Sequence, residues 1–457
     1  MHALDPLHVD DDVAAAVNTA LATVLGRRLA EAEAVDPLFA EDLAHRVARF
    51  TLDGGRRMRA RLCWWGLRAA GGGAPQAASA IGVAGALELV QTCALIQDDV
   101  MDGSALRRGR TAVHVALDEQ YATPRRDRPC GTFGGAGAVL AGDLALVWAD
   151  DAFAEATAGS PAAAPAAAVW RSMRAELVAG QYLDLHAQAT ANRSAARALR
   201  SAVLKTALYS MERPLVLGAT LAGGSPDALA ALAGAGRRAG LAFQLHDDLQ
   251  GAFGDPASTG KPVGEDLREG RSTYLLAVAR ERCEAAGDRN GLRVLETLTG
   301  PPYAAGDEDV RRAREVLDRG GARARVTAEI ERLCRRAEET LAGAPLDRPA
   351  AARLVHLLRE ACGLPPGGPP DTGAPPARAA GTASEAARAA GTAREPGSPT
   401  AREPGSPTAR VSDGGRAAGI TAAEPRRKAG TAGAAGQPRA ASAPMTEFDD
   451  ALMGDPR

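Results

Sequence analysis

Three closely spaced aspartates are the first residues in the sequence whose types and spacing could do chemistry. Asp98, Asp99 and Asp102, called here the first acidic cluster, follow an apolar segment. On a helix, Asp98 and Asp102 would lie one turn apart on the same side. Carboxylates this close repel one another unless a cation lies among them, and Mg²⁺ accepts one or two carboxylates together with phosphate oxygens. Taken alone, the pattern is equally typical of a solvated acidic helix end.

Basic residues both precede and follow this cluster. Arg107 and Arg108 come shortly after it, and paired guanidinium groups suit bidentate binding of phosphate. Arg56 and Arg59 belong to a glycine-led basic run just before an apolar segment. Basic side chains at the start of a helix oppose its dipole unless an anion binds there. The run is therefore interpreted either as an anion site or as an exposed basic turn.

A second acidic cluster, Asp247 and Asp248, lies in the other half of the chain. It follows Gln244 on a proline-free segment, and Lys261 comes in the loop after it. Lys205 lies within the apolar stretch 202–217, where a lysine either reaches solvent or points into a cavity. Together the two clusters suggest two facing acidic helices that hold a metal-bound diphosphate between them.

Helices are the elements that must position these residues. The chain has 457 residues, of which 46% are hydrophobic and only 4% aromatic. Much of the apolar fraction is alanine, which favours helices over strands. One helical face within the proline-free residues 76–123 begins apolar and ends acidic, and it carries Ile81, Ala84, Glu88, Gln91, Leu95, Asp98 and Asp102. We therefore expect one large all-α domain over residues 1–364.

Charge and composition exclude several classes of protein. The 54 Lys and Arg nearly balance the 56 Asp and Glu, which argues against a nucleic-acid-binding protein. The first thirty residues hold no unbroken apolar run, and no uncharged apolar stretch reaches the roughly 20 residues that span a bilayer. The six cysteines are scattered, without the spacing of a zinc site or a disulfide framework. The sequence thus predicts a cytoplasmic protein with no membrane span.

The composition changes abruptly after Leu364. Residues 365–457 contain 14 of the 29 prolines and a single aromatic residue, Phe448, and they include tandem repeats of Ala-Arg-Glu-Pro-Gly-Ser-Pro-Thr. So few large apolar groups cannot offset the backbone entropy of folding, so this tail is predicted to be disordered. Within it, residues 445–453 concentrate apolar side chains at helical spacing, as in a short segment that folds on a partner.

Taken together, the motifs resemble those of the trans-isoprenyl diphosphate synthases, the polyprenyl synthetase family, and in particular geranylgeranyl diphosphate synthases. The resemblance covers roughly residues 15 to 362. The motifs that carry it are, in chain order, Gly54-Gly55-Arg56-x-x-Arg59, Asp98-Asp99-x-x-Asp102 with Arg107-Arg108-Gly109, Gly180-Gln181-x-x-Asp184, Lys205-Thr206, and Gln244-x-x-Asp247-Asp248 with Gly260-Lys261.

The resemblance implies a helical bundle of the isoprenoid synthase type I fold around a central cavity, usually in a homodimer. Members of the family join an allylic diphosphate to isopentenyl diphosphate with Mg²⁺, here expected as three ions per active site. The metal ligands implied are Asp98, Asp99, Asp102, Asp247 and Asp248. The catalytic residues implied are Asp98, Asp99, Asp102, Lys205, Thr206, Gln244 and Asp247. The substrate-binding residues implied are Arg56, Arg59, Gln91, Arg107, Arg108, Gln181, Lys205, Lys261 and Arg271.

The sequence departs from the family pattern at four positions. Arg56 and Arg271 stand where lysine is usual, which keeps the charge but changes a point donor into a planar fork. Gln91 stands where many members have histidine, and it keeps a hydrogen-bond donor. Gly251 stands where the second acidic cluster usually has its third acid. We expect Asp255, one turn further along the same face, to substitute in part.

The product length and two other functions stay open at this point. The residues that close the product tunnel in the family correspond to Cys93 and Ala94, which are small, so we expect a C20 product, geranylgeranyl diphosphate. Farnesyl and longer-chain synthases are the alternatives. A class I terpene cyclase or a non-catalytic regulatory subunit fits the basic motifs and the intact first acidic cluster less well. The tail resembles the cargo-loading tails of enzymes packed in encapsulin-type shells.

Overall fold

A computed structural model describes residues 5–121, 131–190, 194–254, 264–268, 270–298 and 305–365 of the chain. These ranges are almost entirely helical, with one short β-hairpin, which confirms the all-α prediction. Asp255, Lys261 and the tail with its segment 445–453 lie outside the described residues.

The first half of the described chain is a series of helices that differ widely in length. In chain order the elements are α1 (Pro6–Asp11), α2 (Val13–Val35), α3 (Pro37–Phe39), the π-helix π1 (Ala40–Ala44), α4 (His45–Leu52), α5 (Met58–Ala69), α6 (Ala74–Asp102), β1 (Leu106–Arg107), β2 (Arg110–Thr111), α7 (Val113–Gln120) and α8 (Phe133–Thr157). The hairpin pairs Leu106 with Thr111 and Arg107 with Arg110 in antiparallel register.

The second half of the described chain continues in the same way. Its elements are α9 (Ala163–Ala189), α10 (Ala195–Ala202), the π-helix π2 (Val203–Glu212), α11 (Arg213–Leu221), α12 (Pro226–Phe253), α13 (Glu265–Arg268), α14 (Tyr274–Ala286), α15 (Arg289–Thr297), α16 (Asp307–Arg319), α17 (Ala322–Ala342) and α18 (Arg348–Ala361).

Helix α6 is the central helix of the bundle, and its end positions the first acidic cluster. It packs against α8, α5 and α2, and its middle, residues 80–90, is almost entirely buried. It ends at Asp102, because Gly103 adopts a left-handed conformation (φ 66°) that stops the helix. Acidic side chains in a last helical turn face the negative end of the helix dipole. The three aspartates therefore need positive charge nearby.

Two glycines allow the helices around π2 to approach closely. A Cβ atom on Gly180 of α9 would lie 2.3 Å from the backbone N of Lys205, and one on Gly240 of α12 would lie 2.6 Å from the Cα of Ala207. Any larger residue would force these helices apart. The close contact places Lys205 and Thr206 of π2 between α9 and α12.

Two helices, α6 and α8, are long and apolar enough to cross a membrane by length and composition alone. In α6, 72% of the most apolar window is buried inside the bundle, as in the core helix of a folded domain. In α8, 39% of the corresponding window is buried, and Val139, Leu140 and Val147 are exposed on its surface. The sequence analysis expected no span, and this apolar face of α8 is considered further below.

Candidate active site

A cavity with a volume of about 280 Å³ opens between α6, α9, π2 and α12, and α14 and the segment before it form its remaining wall. The sequence-predicted residues that line it are Arg59, Gln91, Asp98, Arg107, Gln181, Lys205, Thr206, Gln244, Asp247, Asp248 and Arg271. Residues from seven separate segments of the chain thus meet in one place.

Asp98 connects the first acidic cluster to the neighbouring helices through hydrogen bonds. Its Oδ1 accepts hydrogen bonds from the Lys205 ammonium at 3.2 Å and the Gln181 amide at 3.0 Å. The Lys205 ammonium also donates to Asp184 of α9 at 2.8 Å. Burial alone would raise the pKa of Asp98, but the neighbouring charges of Lys205 and Arg107 lower it below the usual value.

Each of the other two acids of the cluster forms an ion pair with an arginine. Arg107 donates to Asp99 at 2.7 Å, and Arg271 donates to Asp102 at 2.6 Å. Asp99 is fully buried, and its Oδ2 has no hydrogen-bond partner among the described residues. Burial raises the pKa of Asp99 and of Asp102, and the charge of Asp98 raises both further. For Asp99 and Asp102, burial and the charge of Asp98 therefore outweigh the effect of the neighbouring arginines on the pKa.

The second acidic cluster faces the cavity from α12. Asp248 is buried and accepts a hydrogen bond from the Gln244 amide at 2.8 Å, while the Oε1 of Gln244 accepts one from Thr206 at 2.5 Å. Burial raises the pKa of Asp248 well above its usual value, and the charges of Asp266, Asp247 and Asp184 raise it further. Gln244 thus links π2 to this cluster.

Guanidinium groups gather on the side of the cavity near α5 and the β-hairpin. Arg57 and Arg108 are the two non-glycine residues in the described chain with positive φ, at 51° and 54°. Left-handed backbone at a bulky residue stores strain that clusters at functional sites. Burial lowers the pKa of Arg108, and the charges of Arg57, Arg107 and Arg59 lower it further. Such a group of like charges is suited to an anion.

A buried ion pair holds the glycine-led run in this shape. Arg57 donates to Glu88 of α6 at 3.0 Å and to Asn18 of α2 at 2.9 Å, and both members of the ion pair are less than a tenth exposed. Arg57 also donates to the carbonyl oxygens of Thr51 and Leu52. The sequence analysis named neither Arg57 nor Glu88 as a site residue, because nothing in the pattern separates Arg57 from its basic neighbours.

Gln91 and Arg59 share contacts with Tyr209. The Tyr209 hydroxyl donates to Oε1 of Gln91 at 3.0 Å, which leaves the amide group of Gln91 to donate. The Arg59 guanidinium lies 4.4 Å from the centre of the Tyr209 ring and donates to Ser210 at 2.6 Å. Tyr209 and Ser210 were not predicted, although they follow Lys205 and Thr206 on the same π-helix.

Arg56 is placed differently from the other predicted residues. Its exposed side chain borders a separate cavity of about 220 Å³, together with Arg61, Arg353 and His356. Lys261 lies outside the described residues. Asp184 and Asp266, by contrast, line the main cavity and were not predicted as site residues. Asp184 belongs to a recognised motif, whereas Asp266 carries no signal in the sequence beyond following the second acidic cluster.

The residues present fit a divalent cation of the magnesium type. Among the described residues, no three acidic, histidine or cysteine side chains already form a metal site. Lys205, Arg107 and Arg271 instead bind the carboxylates. The donors are carboxylate oxygens, which Mg²⁺ prefers, and the buried Oδ2 of Asp99 lacks a partner among the residues described. These carboxylates therefore suit Mg²⁺ that is also coordinated by phosphate oxygens.

Comparison with known proteins agrees with this chemistry. The profile of the polyprenyl synthetase family matches residues 41–313. A short chain isoprenyl diphosphate synthase from Methanothermobacter thermautotrophicus is 33% identical over 291 residues, which cover 64% of this chain and 81% of that protein. A geranylfarnesyl diphosphate synthase from Aeropyrum pernix is 30% identical over 308 residues, covering 67% of this chain and 88% of that one.

A solved structure is similar over most of the described chain. It is a geranylgeranyl pyrophosphate synthase from Corynebacterium glutamicum, complexed with isoprenyl diphosphate and magnesium. The TM-score is 0.70 at 34% identity, over 76% of this chain and 97% of that one. The chain therefore belongs to the polyprenyl synthetase family. It is an isoprenyl diphosphate synthase, which is a prenyltransferase.

Proposed function

We propose that this chain condenses isopentenyl diphosphate with allylic diphosphates, in a magnesium-dependent reaction, and that its main product is geranylgeranyl diphosphate. The observation that carries the proposal is the pair of acidic clusters on α6 and α12, which line one cavity together with Lys205, Arg107 and Arg271. The similarity to a C20 synthase solved with magnesium supports it.

The acidic clusters would hold the metal ions, of which we propose three. Asp98, Asp99 and Asp102 would act from α6, and Asp247 and Asp248 from α12. Bound Mg²⁺ would neutralise the charge that develops on the diphosphate as the allylic C–O bond breaks. The carboxylates must lose their protons before they can act as ligands, and because the pKa values of Asp99, Asp102 and Asp248 are raised, protons would compete with the metal over a wider pH range at these groups.

When the allylic diphosphate binds, the basic side chains would exchange carboxylate partners for phosphate oxygens. Lys205, Arg107 and Arg271 now bind the carboxylates, and in the complex they would bind the oxygens of the allylic diphosphate, as would Lys261. Gln181 would keep its hydrogen bond to Asp98 and hold that side chain in place. Preorganised positive charge at the leaving group is usually the largest contribution to catalysis of this kind.

The group of guanidinium side chains near the β-hairpin would bind isopentenyl diphosphate. Arg59 and Arg108 would contact its phosphates, and Gln91 would donate from an amide that Tyr209 orients. Arg56 would join them by turning its exposed side chain from the neighbouring cavity. Arg107 contacts the first acidic cluster and directly precedes Arg108 in the chain, so the two diphosphates would lie near each other beside it.

Weak dipoles and apolar walls would protect the allylic cation. Thr206 and Gln244 present oxygen atoms to the cavity, and they are fixed by their mutual hydrogen bond. Leu95, Leu177 and Phe243 add apolar surface. Excluding water from such a cavity prevents hydrolysis of the reactive intermediate. The sequence pattern does not include the second motif of terpene cyclases, so elongation rather than cyclisation is proposed.

Small side chains on α6 support a product longer than C15. Ala94 lines the cavity, and Cys93 is 6% exposed beside it. Trp64 on the neighbouring helix α5 is fully buried and donates to Asp10 at 2.8 Å, and Trp65 borders the separate cavity. Neither lines the main cavity in the described chain. Farnesyl and longer-chain products remain the alternatives to C20.

We further propose a homodimer that covers the exposed apolar face of α8. Val139, Leu140 and Val147 on α8, with Val178 and Tyr182 on α9, are between 45% and 67% exposed. A second copy of the chain would bury this face. Replacing Leu140 and Val147 by Asp should then give a folded monomer in analytical ultracentrifugation, whereas an unchanged sedimentation coefficient would place any interface elsewhere. The cytoplasmic location stays a prediction.

The tail, residues 365–457, is proposed to act as a tether outside the catalytic domain. Its segment 445–453 would dock on a protein partner, for which an encapsulin-type shell is our proposal. Truncation after Leu364 should leave turnover unchanged and abolish co-purification with such a shell. A truncated enzyme that loses its elongation activity would contradict the proposal.

The proposed reaction is tested by product analysis of the purified chain. The protein is incubated with Mg²⁺, isopentenyl diphosphate and, separately, the C5, C10 and C15 allylic diphosphates, and the products are identified by mass spectrometry. We expect C20 diphosphate as the main product from each primer. A main product of C15, or of C25 and longer, would move the assignment to one of the alternatives.

A further inference from the structure

An arginine that the sequence analysis did not single out, Arg197, lines the main cavity from α10. The other basic side chains that line the cavity each have a partner within the chain. Lys205, Arg107 and Arg271 form ion pairs with carboxylates, and Arg59 donates to a serine hydroxyl. Arg197 is exposed and forms no hydrogen bond or ion pair with any residue that the structure describes. Its guanidinium is therefore available to an anion from outside the chain.

The packing of α10 places Arg197 in the half of the cavity that holds the acidic clusters. Helix α10 packs against α9, π2 and α14, and it leads directly into π2. Arg197, Ser201 and Lys205 follow one another at steps of four residues, and all three line the cavity. The guanidinium groups proposed to bind isopentenyl diphosphate instead come from α5 and the β-hairpin. Arg197 therefore lies on the side of the allylic diphosphate.

The backbone of Arg197 is held in place although its side chain is exposed. The hydroxyl of Ser201 donates to the carbonyl oxygen of Gly180 at 3.2 Å, which ties α10 to α9. Leu199 is 3% exposed and anchors the same helix in the protein. The side chain of Arg197 thus extends into the cavity from a packed helix, which positions a binding group more precisely than a loop would.

The stability of α10 does not explain an arginine at this position. Arg197 is the third residue of α10 and lies in its first turn, where a positive charge opposes the helix dipole. Alanine, the best helix former, occupies positions 195, 196 and 198 around it. An alanine at position 197 would therefore suit the helix better. A bound anion would turn this unfavourable charge into a favourable one.

We propose that Arg197 is a further binding residue for the allylic diphosphate and contacts its phosphate oxygens. The inference rests on the proposed function and deepens it. A guanidinium presents two parallel N–H groups to one phosphate, so the contact would be bidentate. Lys205, Arg107 and Arg271 must first release a carboxylate, whereas Arg197 binds without losing a partner. The contact would strengthen binding of the substrate and of the transition state alike, so it would act on KM more than on kcat.

The test combines binding and kinetics of the full-length chain. Calorimetry measures Kd for inorganic pyrophosphate in Mg²⁺, and steady-state assays measure KM and kcat for the C10 allylic diphosphate at saturating isopentenyl diphosphate. We expect Arg197→Ala and Arg197→Gln to raise both Kd and KM about tenfold or more, the usual loss for a hydrogen bond between charged groups. The kcat and the KM for isopentenyl diphosphate should stay within about threefold of wild type.

Two further variants and the melting temperature act as controls. Arg197→Lys keeps the charge without the planar fork, so its Kd should lie between those of wild type and Arg197→Ala. Arg200→Ala removes an exposed arginine from the same helix that is not among the residues lining the cavity, and it should bind like wild type. Without ligand, Arg197→Ala should melt at or above the wild-type temperature, because it removes a charge that the helix dipole disfavours.

The results separate the inference from the proposed function. If the wild-type chain elongates the allylic substrate and both Arg197 variants bind it and pyrophosphate equally well, only the inference is overturned. An equal loss in Arg200→Ala, a loss confined to the KM for isopentenyl diphosphate, or a large drop in the melting temperature of both Arg197 variants would overturn it as well. If the wild-type chain neither binds pyrophosphate with Mg²⁺ nor elongates the substrate, the proposed function fails and the inference fails with it.

Discussion

The Lys205 ammonium lies 3.2 Å from Oδ1 of Asp98, although 107 positions separate the two residues in the chain. The contact joins the last turn of α6 to π2, and Asp184 of α9 shares the same ammonium at 2.8 Å. Burial opposes the charged form of Lys205, but the charges of Asp184 and Asp98 raise its pKa above the usual value. Lys205 therefore carries a full positive charge at the place where the diphosphate is proposed to leave.

Replacing this lysine by methionine should remove the charge and keep the length of the side chain. We expect Lys205→Met to lower kcat by about 10²–10³-fold, the usual effect of losing one preorganised donor to a developing negative charge. Steady-state kinetics with labelled isopentenyl diphosphate measures this. Arg311→Ala is the control, because Arg311 forms exposed ion pairs on α16 far from the cavity residues. A kcat within threefold of wild type would remove Lys205 from the mechanism.

Metal binding should release protons. Burial and neighbouring carboxylates raise the pKa of Asp102 and Asp248. A raised carboxyl pKa means that protons compete with the metal at pH values above the usual carboxyl pKa of about 4. The affinity for Mg²⁺ and pyrophosphate should therefore rise with pH in that range.

Calorimetry in two buffers of different ionisation enthalpy counts the protons released. Asp248→Asn has no carboxyl proton to lose, so it should release fewer than the wild-type chain. Because pyrophosphate titrates equally in both experiments, the difference between the two proteins reports on Asp248. Equal proton release would show that Asp248 is already ionised in the free enzyme.

The buried ion pair between Arg57 and Glu88 should be important for stability. Both side chains are almost inaccessible, so removing one charge leaves the other buried without its partner. Glu88→Gln should cost about 3–5 kcal/mol of unfolding free energy in a denaturant titration. Asp318→Asn, which breaks an exposed pair with Arg323, should cost about 1 kcal/mol or less. Similar losses in both variants would mean that the buried pair has no special role.

An aromatic side chain at position 93 should shorten the product. Cys93 is buried beside Ala94, which lines the cavity, so Cys93→Phe would fill space that the growing chain is proposed to use. Overpacking should cost about 1–3 kcal/mol of stability. Chromatography of the products checks the shift toward C15, with Val35→Phe at an exposed position of α2 as the control. An unchanged distribution would place the tunnel floor on another helix.

The sequence was sufficient to predict the helical fold and most of the cavity. The step of three or four residues from Glu88 to Asp102 predicted one face of α6, and the charge pattern together with the family resemblance led to Lys205 and Arg107. Local pattern cannot separate Arg56 from Arg57, because adjacent basic residues look alike until packing buries one and exposes the other.

The contact between Asp266 and Gly251 was beyond prediction for a different reason. The Asp266 carboxylate lies against Gly251 only because α13 packs against α12, and the sequence contains no periodicity that links a four-residue helix to a position fifteen residues earlier. The expectation that Asp255 substitutes in part for the missing acid concerns a residue outside the described part of the chain, and it stays a prediction.

The most direct test of the account is the fate of labelled isopentenyl diphosphate with the wild-type chain and with Asp98→Ala, in Mg²⁺ and after its removal by chelation. We expect the wild-type chain to build label into a prenyl diphosphate only with Mg²⁺, and Asp98→Ala to lose several orders of magnitude in rate, because Asp98 contacts Lys205 and Gln181 at the centre of the site. A cyclic hydrocarbon without elongated diphosphate, or full activity in Asp98→Ala, would contradict the account.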